Sequence, residues 1–272
     1  MRVGVLGATG RMGRVSCRAV LDAVDLDLVG VVARGGAGQE LREHVAEAPA
    51  GLVVGASAED LLDAKVEVVI DFSVPDATLA SARLLLPAGV HVVSGTTGLP
   101  ATGLDELRAL AGPEASGNAV WAPNFAFGAV LAQHFATMAV RCYQAVEVIE
   151  LHHGGKADAP SGTALRIAQA IAAARQQATA PPSAGAPPVG QSRELVAGAR
   201  GGDVEGVRVH SVRLPGLVAH HEIVFGGQGE LFTVRHDSLD LSSFMPGVLL
   251  AVHQVPSRPG LTVGLESLLD LH

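Results

Sequence analysis

Residues 150–164 bring together the side chains best suited to hold a small polyanion and give it a proton. They read Glu-Leu-His-His-Gly-Gly-Lys-Ala-Asp-Ala-Pro-Ser-Gly-Thr-Ala. Imidazole and ammonium groups carry positive charge and transfer protons, so His152, His153 and Lys156 are candidates for both tasks. An apolar strand-like stretch precedes this run and a helical pattern follows it. A helix that begins there presents unpaired N–H groups and its positive dipole end, so the pattern predicts an anion site.

The choice of lysine at position 156 supports a role in proton transfer. Lys65 and Lys156 are the only lysines, and all other basic residues apart from the histidines are arginines. An ammonium can lose its proton, whereas a guanidinium in practice cannot. The alternative is that Lys156 is a solvated loop cation and that His152-His153 ends a strand against a carbonyl. The nearby Ser161-Gly162-Thr163, whose serine also suits a helix N-cap, favours a site.

A second informative segment opens the chain. A short apolar run, 3–6, leads into Gly7-Ala8-Thr9-Gly10-Arg11-Met12-Gly13 and then a helical pattern over 14–23. The order strand, glycine turn, helix is the setting of a dinucleotide-binding site. The spacing is G-x-x-G-x-x-G instead of G-x-G-x-x-G, but glycines still allow a tight turn and close approach to a pyrophosphate. The alternative is an ordinary glycine-rich turn.

The end of the second strand bears on which dinucleotide binds. An acidic residue there usually accepts the ribose hydroxyls, whereas an arginine can hold a 2′-phosphate. Here the strand over 28–32 ends in Ala33-Arg34-Gly35-Gly36, without an acidic residue. We therefore expect NADPH to be used at least as well as NADH, with Arg34 on the phosphate. The alternative is that Arg34 is a solvated turn residue.

The first half of the chain alternates strand-like and helix-like patterns, which predicts a Rossmann-like doubly wound parallel sheet. Strands are expected near 2–6, 28–33, 52–54, 67–72, 90–94 and 119–121. Asp71-Phe72-Ser73 and Gly95-Thr96-Thr97-Gly98 stand at carboxyl ends of strands, where ligands bind in such sheets. A plain strand-to-helix turn is the alternative for 95–98.

After Ala122-Pro123-Asn124-Phe125 the pattern changes to that of an α+β domain with a mixed or antiparallel sheet. A helix over 127–141 is followed by several β-like runs, namely 207–214, 219–225 and 230–235. The Pro-, Ala- and Gly-rich stretch 178–192 predicts a mobile connection. Helix and strand patterns at 242–252 and 261–263 return to the first domain. We predict a dinucleotide-binding domain of 1–123 with 238–272, and a substrate-binding and oligomerisation domain of 124–237.

Composition excludes several classes of function. The 272 residues carry a net charge of −8, which argues against nucleic acid as a partner. No signal-type segment and no apolar run of roughly 18 residues occurs, so we expect a cytoplasmic protein without a membrane partner. Cys17 and Cys142 lack metal spacing and are expected to be small buried hydrophobes. Adjacent histidines on a strand face opposite ways, so a zinc site is a weak alternative.

Other histidines and the single tryptophan have no accompanying motif. His220-His221 and His236 lie in predicted strands and are expected to satisfy local hydrogen bonds or subunit contacts. Trp121 is expected in the core, on the last strand of the first domain.

Several motifs together resemble the dihydrodipicolinate reductase family, the 4-hydroxy-tetrahydrodipicolinate reductases, and the likeness runs nearly end to end. The motifs are 7–13, Asp71-Phe72-Ser73, Gly95-Thr96-Thr97-Gly98, Ala122-Pro123-Asn124-Phe125, 150–164, 197–201 and Arg235-His236-Asp237-Ser238. The resemblance implies NAD(P)H-dependent reduction of the cyclic imine dicarboxylate derived from 4-hydroxy-tetrahydrodipicolinate to tetrahydrodipicolinate, in lysine and diaminopimelate biosynthesis. It further implies NADPH or NADH in the first domain, substrate in the second, closure of the domains over both, and no metal.

The resemblance also implies roles for single residues. His152 would be the proton donor or acceptor, and Lys156 a proton donor that also balances carboxylate charge. The implied substrate-binding residues are His153, Lys156, Ser161, Gly162 and Thr163. The implied dinucleotide-binding residues are Gly7, Ala8, Thr9, Gly10, Arg11, Met12, Phe72, Gly95, Thr96, Thr97, Ala122, Pro123, Asn124 and Phe125. A homotetramer joined through the second domains' sheets, with the strands over 205–235, is typical of the family.

Two departures leave alternatives open. Gly154-Gly155 replaces bulkier pairs, which can loosen the loop or widen the pocket. Val74 stands where some relatives have an arginine near the cofactor. A paralogue that reduces a different cyclic imine is therefore one alternative, and a non-catalytic NADPH-binding sensor is another. Retention of His152, His153, Lys156 and Ser161 together speaks against the sensor.

Overall fold

The computed structural model describes residues 1–112, 115–143, 145–177 and 194–271, so the predicted connection over 178–192 lies outside the described residues. The strands are β1 (Arg2–Leu6), β2 (Asp27–Val32), β3 (Val68–Asp71), β4 (His91–Ser94), β5 (Ala119–Trp121), β6 (Ala145–His152), β7 (Gly202–Val204), β8 (Val207–Arg213), β9 (Ala219–Gly227), β10 (Glu230–Ser238) and β11 (Leu261–Val263). The α-helices are α1 (Arg11–Asp22), α2 (Glu59–Asp63), α3 (Pro75–Leu85), α4 (Ala101–Leu110), α5 (Phe127–Ala139), α6 (Gly162–Gln177) and α7 (Met245–Gln254). Short 3₁₀ helices occupy Leu41–Glu43, Leu241–Phe244, Val255–Ser257 and Glu266–Leu268.

The chain divides into two compact units, and the first comprises Met1–Ala126 and Leu241–His272. Its sheet has the strand order β11-β5-β4-β3-β1-β2, and every neighbouring pair is parallel. Valine-rich strands such as β3, buried along its whole length, suit a sheet that is covered on both faces. The predicted Rossmann-like parallel sheet is confirmed, and β11 of the last segment pairs with β5 in it.

The second unit comprises Phe127–Asp240. Its sheet has the order β10-β9-β6-β8-β7, in which β6 and β8 are parallel and the other pairs are antiparallel. The predicted mixed sheet is therefore confirmed. Along β6 every second residue is buried, as expected for a strand with one covered face. The covering layer is α5 and α6, whose apolar side chains share a core with β6, β8 and β9.

Three sequence predictions need correction. Residues 52–54 form no strand of the sheet: Val53 makes a single bridge to Glu40 and is 49% exposed. The segment lies between Gly51 and Gly55, which leaves too short a run for a ladder. Cys142 is exposed in the turn after α5, because α5 ends at Ala139 and no longer places it on a buried face.

The third correction concerns Trp121, which is only partly buried although it packs against the core, and whose strand β5 is followed by β11 at the edge of the sheet. Its indole Nε1 donates a hydrogen bond to the carbonyl of Thr96, 2.9 Å away. Cys17, in contrast, is buried in α1 as predicted, and burial raises the pKa of its thiol to about 12. Within the described ranges, no helix is both long and apolar enough to cross a bilayer.

Candidate functional site

The glycine turn of the first unit joins β1 to α1 by contacts that admit no side chain. Gly7 has φ +81°, and a Cβ there would lie 2.9 Å from the Phe72 carbonyl oxygen. A Cβ on Gly13 would lie 2.1 Å from the Gly7 carbonyl oxygen, so the helix packs directly on the turn. Gly10 is the N-cap of α1 and supplies no side chain to it. The first N–H groups of α1 are thus accessible to a phosphate, which fits a bound dinucleotide.

Two cavities of the first unit follow the carboxyl ends of its strands. The first, of about 590 Å³, is lined by part of the glycine turn, by Arg34 beyond β2 and by Phe72 beyond β3. Ser73 lines it too, as do two polar residues that were not predicted from the sequence, Ser57 and Glu59. A mixed polar and apolar cleft of this size is typical of small-molecule sites.

The second cavity, of about 460 Å³, shares Phe72 and Ser73 with the first. Its other lining residues are Arg11, Met12, Gly95, Thr96, Thr97, Pro123, Asn124, Phe125 and Phe244. All residues predicted to bind the dinucleotide line one of the two cavities, except Ala8 and Ala122. Those two are fully buried.

A buried carboxylate, Asp71, holds the strand ends around these cavities in place. Its Oδ2 accepts hydrogen bonds from the hydroxyls of Thr78 at 2.5 Å, Ser94 at 2.9 Å and Thr96 at 3.3 Å. Its Oδ1 accepts one from the backbone N–H of Ser73 at 2.9 Å. One side chain therefore fixes the turns after β3 and β4 and the first turn of α3.

The predicted anion-binding segment of the second unit runs from the end of β6 to the start of α6. His152 is the last residue of β6 and is buried, whereas His153 is half-buried, in keeping with the alternation of a strand. The loop then turns back, with the N–H of Lys156 donating to the carbonyl of His153 at 3.1 Å. The Lys156 ammonium lies 2.7 Å from Asp158, which lowers the pKa of that carboxyl.

Ser161 caps α6 as predicted. Its hydroxyl accepts a hydrogen bond from the N–H of Ala164 at 3.2 Å, and Gly162 and Thr163 form the first turn. The Ser161 hydroxyl also lies 3.4 Å from Nε2 of buried His221 on β9. The segment therefore brings two imidazoles, an ammonium and a helix N-terminus together in one unit.

Glu150 lies two residues before His152 in the motif at 150–164, but no role was predicted for it from the sequence. Glu150 is 0% exposed, contacts Nδ1 of His152, and pairs with Arg213 of β8. Burial alone would raise its pKa, but hydrogen bonds from His152, Arg213 and Ser211 outweigh burial and lower the pKa to about 2. Glu150 is therefore ionised at neutral pH.

His221 was expected only to satisfy local hydrogen bonds or subunit contacts, and no role was predicted for Arg213. Burial, followed by the proximity of His152 and His236, lowers the pKa of His221 to about 3, so its ring is neutral. The His152 and His221 rings stand edge to face with centroids 5.6 Å apart. For Glu150, the signal available in the sequence was the Glu-x-His spacing of β6, since residues two apart share a face of a strand.

Among the described residues, no three His, Cys, Asp or Glu side chains group as a metal site would require. His220 instead pairs with Asp237 at 2.7 Å, and His210 with Glu147 at 2.7 Å.

Comparison with known proteins gives matches along the whole chain. The family model described as "Dihydrodipicolinate reductase, N-terminus" matches residues 1–125, and "Dihydrodipicolinate reductase, C-terminus" matches 128–269. The 4-hydroxy-tetrahydrodipicolinate reductase of Nocardia farcinica (strain IFM 10152) is 51% identical over 272 residues, which are 100% of this chain and 99% of that protein. The protein of the same name from Mycobacterium sp. (strain KMS) is 47% identical over 271 residues, with 100% of both chains covered.

A solved structure is similar over nearly the same length. The dipicolinate-bound dihydrodipicolinate reductase from Paenisporosarcina sp. TG-14 has a TM-score of 0.82 at 38% identity, with 98% of each chain covered. An amine dehydrogenase from Mycobacterium smegmatis, at 14% identity and a TM-score of 0.58 with 96% of this chain and 94% of that chain covered, shares the fold alone. With both of its units matched by family models and full-length relatives near half identity, the chain belongs to the dihydrodipicolinate reductase family.

Proposed function

We propose that this protein uses NAD(P)H to reduce the cyclic imine dicarboxylate derived from 4-hydroxy-tetrahydrodipicolinate to tetrahydrodipicolinate. This is the reductase step of lysine and diaminopimelate biosynthesis, a pathway that we assign to the cytoplasm. The observation that carries the proposal is the grouping of His152, Lys156 and the Ser161 cap of α6 in a chain that matches the family throughout.

The first unit binds the dinucleotide in this proposal. The glycine turn and the N-terminus of α1 hold the pyrophosphate, and the turns after β3, β4 and β5 hold the rest of the cofactor. Arg34 lines the same cavity as Gly7 and Gly10, which supports its assignment to a 2′-phosphate and the use of NADPH at least as well as NADH. The bound nicotinamide supplies a hydride.

The second unit binds the substrate dicarboxylate. Ser161, Gly162 and Thr163 present hydroxyl and backbone N–H donors to one carboxylate, and His153 contacts the substrate. Lys156, whose ammonium lies against Asp158, also balances substrate charge. Hydroxyl and backbone N–H donors around a helix N-terminus suit a carboxylate ligand.

The chain's own residues supply the protons. Reduction of an electron-poor conjugated imine leaves an enamine-like anion, so nearby cations stabilise the developing charge and an acid protonates carbon. His152 is the proton donor or acceptor, and Lys156 is a second donor.

We also propose that the uncovered face of the second unit's sheet joins subunits into a homotetramer. On this face Ile149 and Leu151 of β6 are half-buried, and Leu231 of the edge strand β10 is 75% exposed. Glu147, Glu222 and Arg235 share this face, and a mixture of apolar and charged side chains is common in subunit interfaces. Sedimentation equilibrium gives the subunit number directly: four copies agree with the proposal, and a stable monomer contradicts it.

The test of function is NADPH oxidation with freshly prepared pathway substrate. The proposal predicts stoichiometric loss of NADPH absorbance and formation of tetrahydrodipicolinate. Cofactor binding without consumption would identify a sensor, and turnover only with another cyclic imine would identify a paralogue. Addition of a chelator is expected to leave the rate unchanged.

A further inference from the structure

We propose that Glu150 and Arg213 form a positioning pair that fixes the tautomer of His152 and holds the Lys156 loop beside it. The inference rests on the proposed function, because it concerns the same site. It assigns roles to two residues that need not touch the substrate.

The contact between Glu150 and His152 determines which ring nitrogen faces the chemistry. The Glu150 carboxylate contacts Nδ1 of His152. An ionised carboxylate has no proton to donate, so Nδ1 must carry the hydrogen of this bond. The other nitrogen, Nε2, is then the one that exchanges a proton with a ligand. A carboxylate behind an imidazole serves this purpose in many proton-transfer sites.

Arg213 keeps the carboxylate in the orientation that this bond requires. Its Nη1 donates to Glu150 Oε2 at 3.0 Å, and its Nη2 donates to Oε1 at 2.7 Å. Two parallel bonds of a planar guanidinium to a carboxylate fix direction as well as distance. The parallel register of β6 and β8 sets His152 opposite Arg213, which explains how the pair forms.

Arg213 also holds the loop that carries Lys156. Its Nη2 donates a third hydrogen bond, of 2.6 Å, to the backbone carbonyl of Asp158. The carboxylate of Asp158 in turn lies against the Lys156 ammonium. Glu150 completes the connection by accepting from the N–H of Ser161 at 3.3 Å. One buried ion pair therefore links the imidazole, the ammonium loop and the cap of α6.

Charged and titratable groups from several elements lie around His152. Glu150 lies on its own strand, Arg213 on β8 and neutral His221 on β9, with Lys156 and Asp158 on the following loop. Asp158 pairs with Lys156, so Glu150 is the anion in contact with the ring. Removal of Glu150 should therefore alter both the electrostatics and the orientation of His152.

The tautomer can be measured in the unaltered enzyme. Uniform ¹⁵N labelling of histidine, with His152→Asn to assign the signals, reports which nitrogen is protonated in the neutral ring. We expect hydrogen on Nδ1 and a bare Nε2. Hydrogen on Nε2 of His152 in the folded enzyme would overturn the inference. The tautomer is measured in the parent enzyme, so the result does not depend on the stability of a variant.

Kinetics of Glu150→Gln and Arg213→Lys give a second test. We expect kcat to fall by about 10- to 100-fold, the loss common for supporting hydrogen-bond partners. The pH–rate profile of Glu150→Gln should differ from that of the parent, because a carboxylate in contact with His152 is removed. The KM for NADPH should stay unchanged, because the pair lies in the second unit. A folded Glu150→Gln enzyme with the kcat and pH profile of the parent contradicts the inference.

Glu106→Gln is the matched control. Glu106 also makes a two-pronged pair with an arginine, Arg83, at 2.5 and 3.0 Å, but this pair is solvent-exposed and lies in the first unit. Its loss should leave kcat and the pH profile unchanged. His152→Ala distinguishes a failure of the proposed function from a failure of the positioning pair. Full turnover by this variant refutes the proposed proton donor, whereas loss of turnover there with an unaffected Glu150→Gln enzyme refutes only the positioning pair.

Discussion

Nε2 of His221 lies 3.4 Å from Oγ of Ser161, so a buried neutral imidazole touches the hydroxyl that caps α6. Nδ1 of His221 has no hydrogen-bond partner among the described residues. Burial of an unpaired acceptor nitrogen costs less free energy than burial of an unpaired N–H group. This difference favours the tautomer of His221 with hydrogen on Nε2. Nε2–H then donates to Ser161, and the serine O–H can still act as a donor, as the proposed contact with a substrate carboxylate requires.

Replacing Ser161 separates capping from substrate binding. Ser161→Ala removes both the cap and the hydroxyl, so we expect a loss of about 1 kcal/mol in the free energy of unfolding together with a raised KM for the imine. Ser161→Gly should lose only a few tenths of a kcal/mol, because glycine is a tolerated N-cap, but should raise KM equally. Urea unfolding and steady-state kinetics measure the two effects. Equal KM values for parent and both variants would contradict the binding role.

The stability of the second unit should fall in acid over a defined range. The pKa of His221 is lowered from 6.5 to about 3, so the unfolded chain binds more protons between these values. The contribution of neutral His221 is complete above pH 6.5 and is lost as the pH falls toward 3. For Glu150, whose pKa is lowered from 4.5 to about 2, the contribution is complete above pH 4.5 and is lost below it.

Above pH 4.5 the contribution of His221 to the free energy of unfolding can therefore be measured separately from that of Glu150. His221→Gln should flatten the dependence of unfolding free energy on pH between 4.5 and 6.5 by up to roughly 1 kcal/mol per pH unit. Denaturant titrations at several pH values measure this slope. An unaltered slope in the variant would show that His221 is not held neutral in the folded protein.

Asp71 should support the proposed cofactor binding in the first unit. Asp71→Asn removes an acceptor shared by three hydroxyls, so the turns after β3 and β4 lose a common anchor. We expect the Kd for NADPH to rise about 10-fold and stability to fall by roughly 1–3 kcal/mol. Fluorescence titration with NADPH tests this, and Asp76→Asn on the exposed side of α3 is the matched control. Equal Kd values for parent and Asp71→Asn would contradict the role.

Arg34 should distinguish the two dinucleotides. If its guanidinium holds the 2′-phosphate, Arg34→Ala raises the KM for NADPH by about 10-fold, equivalent to about 1.4 kcal/mol, and leaves the KM for NADH unchanged. Steady-state kinetics with both cofactors measure the ratio. A strong preference for NADH that Arg34→Ala does not alter would defeat the assignment.

Local patterns were sufficient to predict the parts of the fold that depend on neighbours in sequence. The glycine turn, the valine-rich strands and the Ser161 cap each follow from steric or hydrogen-bonding needs of a few adjacent residues. The prediction of a strand at 52–54 was wrong because three apolar residues between glycines resemble a strand. The prediction that Cys142 is buried was wrong because its exposure depends on the end of α5, which no strong stop signal in the sequence marks.

The positioning pair could not be predicted, since its members are far apart in sequence. Arg213 meets Glu150 across 63 residues, and the meeting depends on a parallel pairing of β6 with β8 inside a mostly antiparallel sheet. Nothing in a single sequence fixes that register. The buried Asp71 was likewise quoted at a strand end, but its three hydroxyl partners become evident only when β3 and β4 lie side by side.

Turnover by Lys156→Ala shows whether the segment that carries His152 and Lys156 performs imine reduction. With freshly prepared pathway substrate and saturating NADPH, we expect rapid NADPH oxidation by the parent enzyme. In the variant we expect kcat to be lowered about 100-fold or more, with unchanged thermal unfolding and NADPH affinity. A folded Lys156→Ala enzyme with the parent's kcat, or a parent enzyme that binds NADPH and never oxidises it, would refute the proposed function.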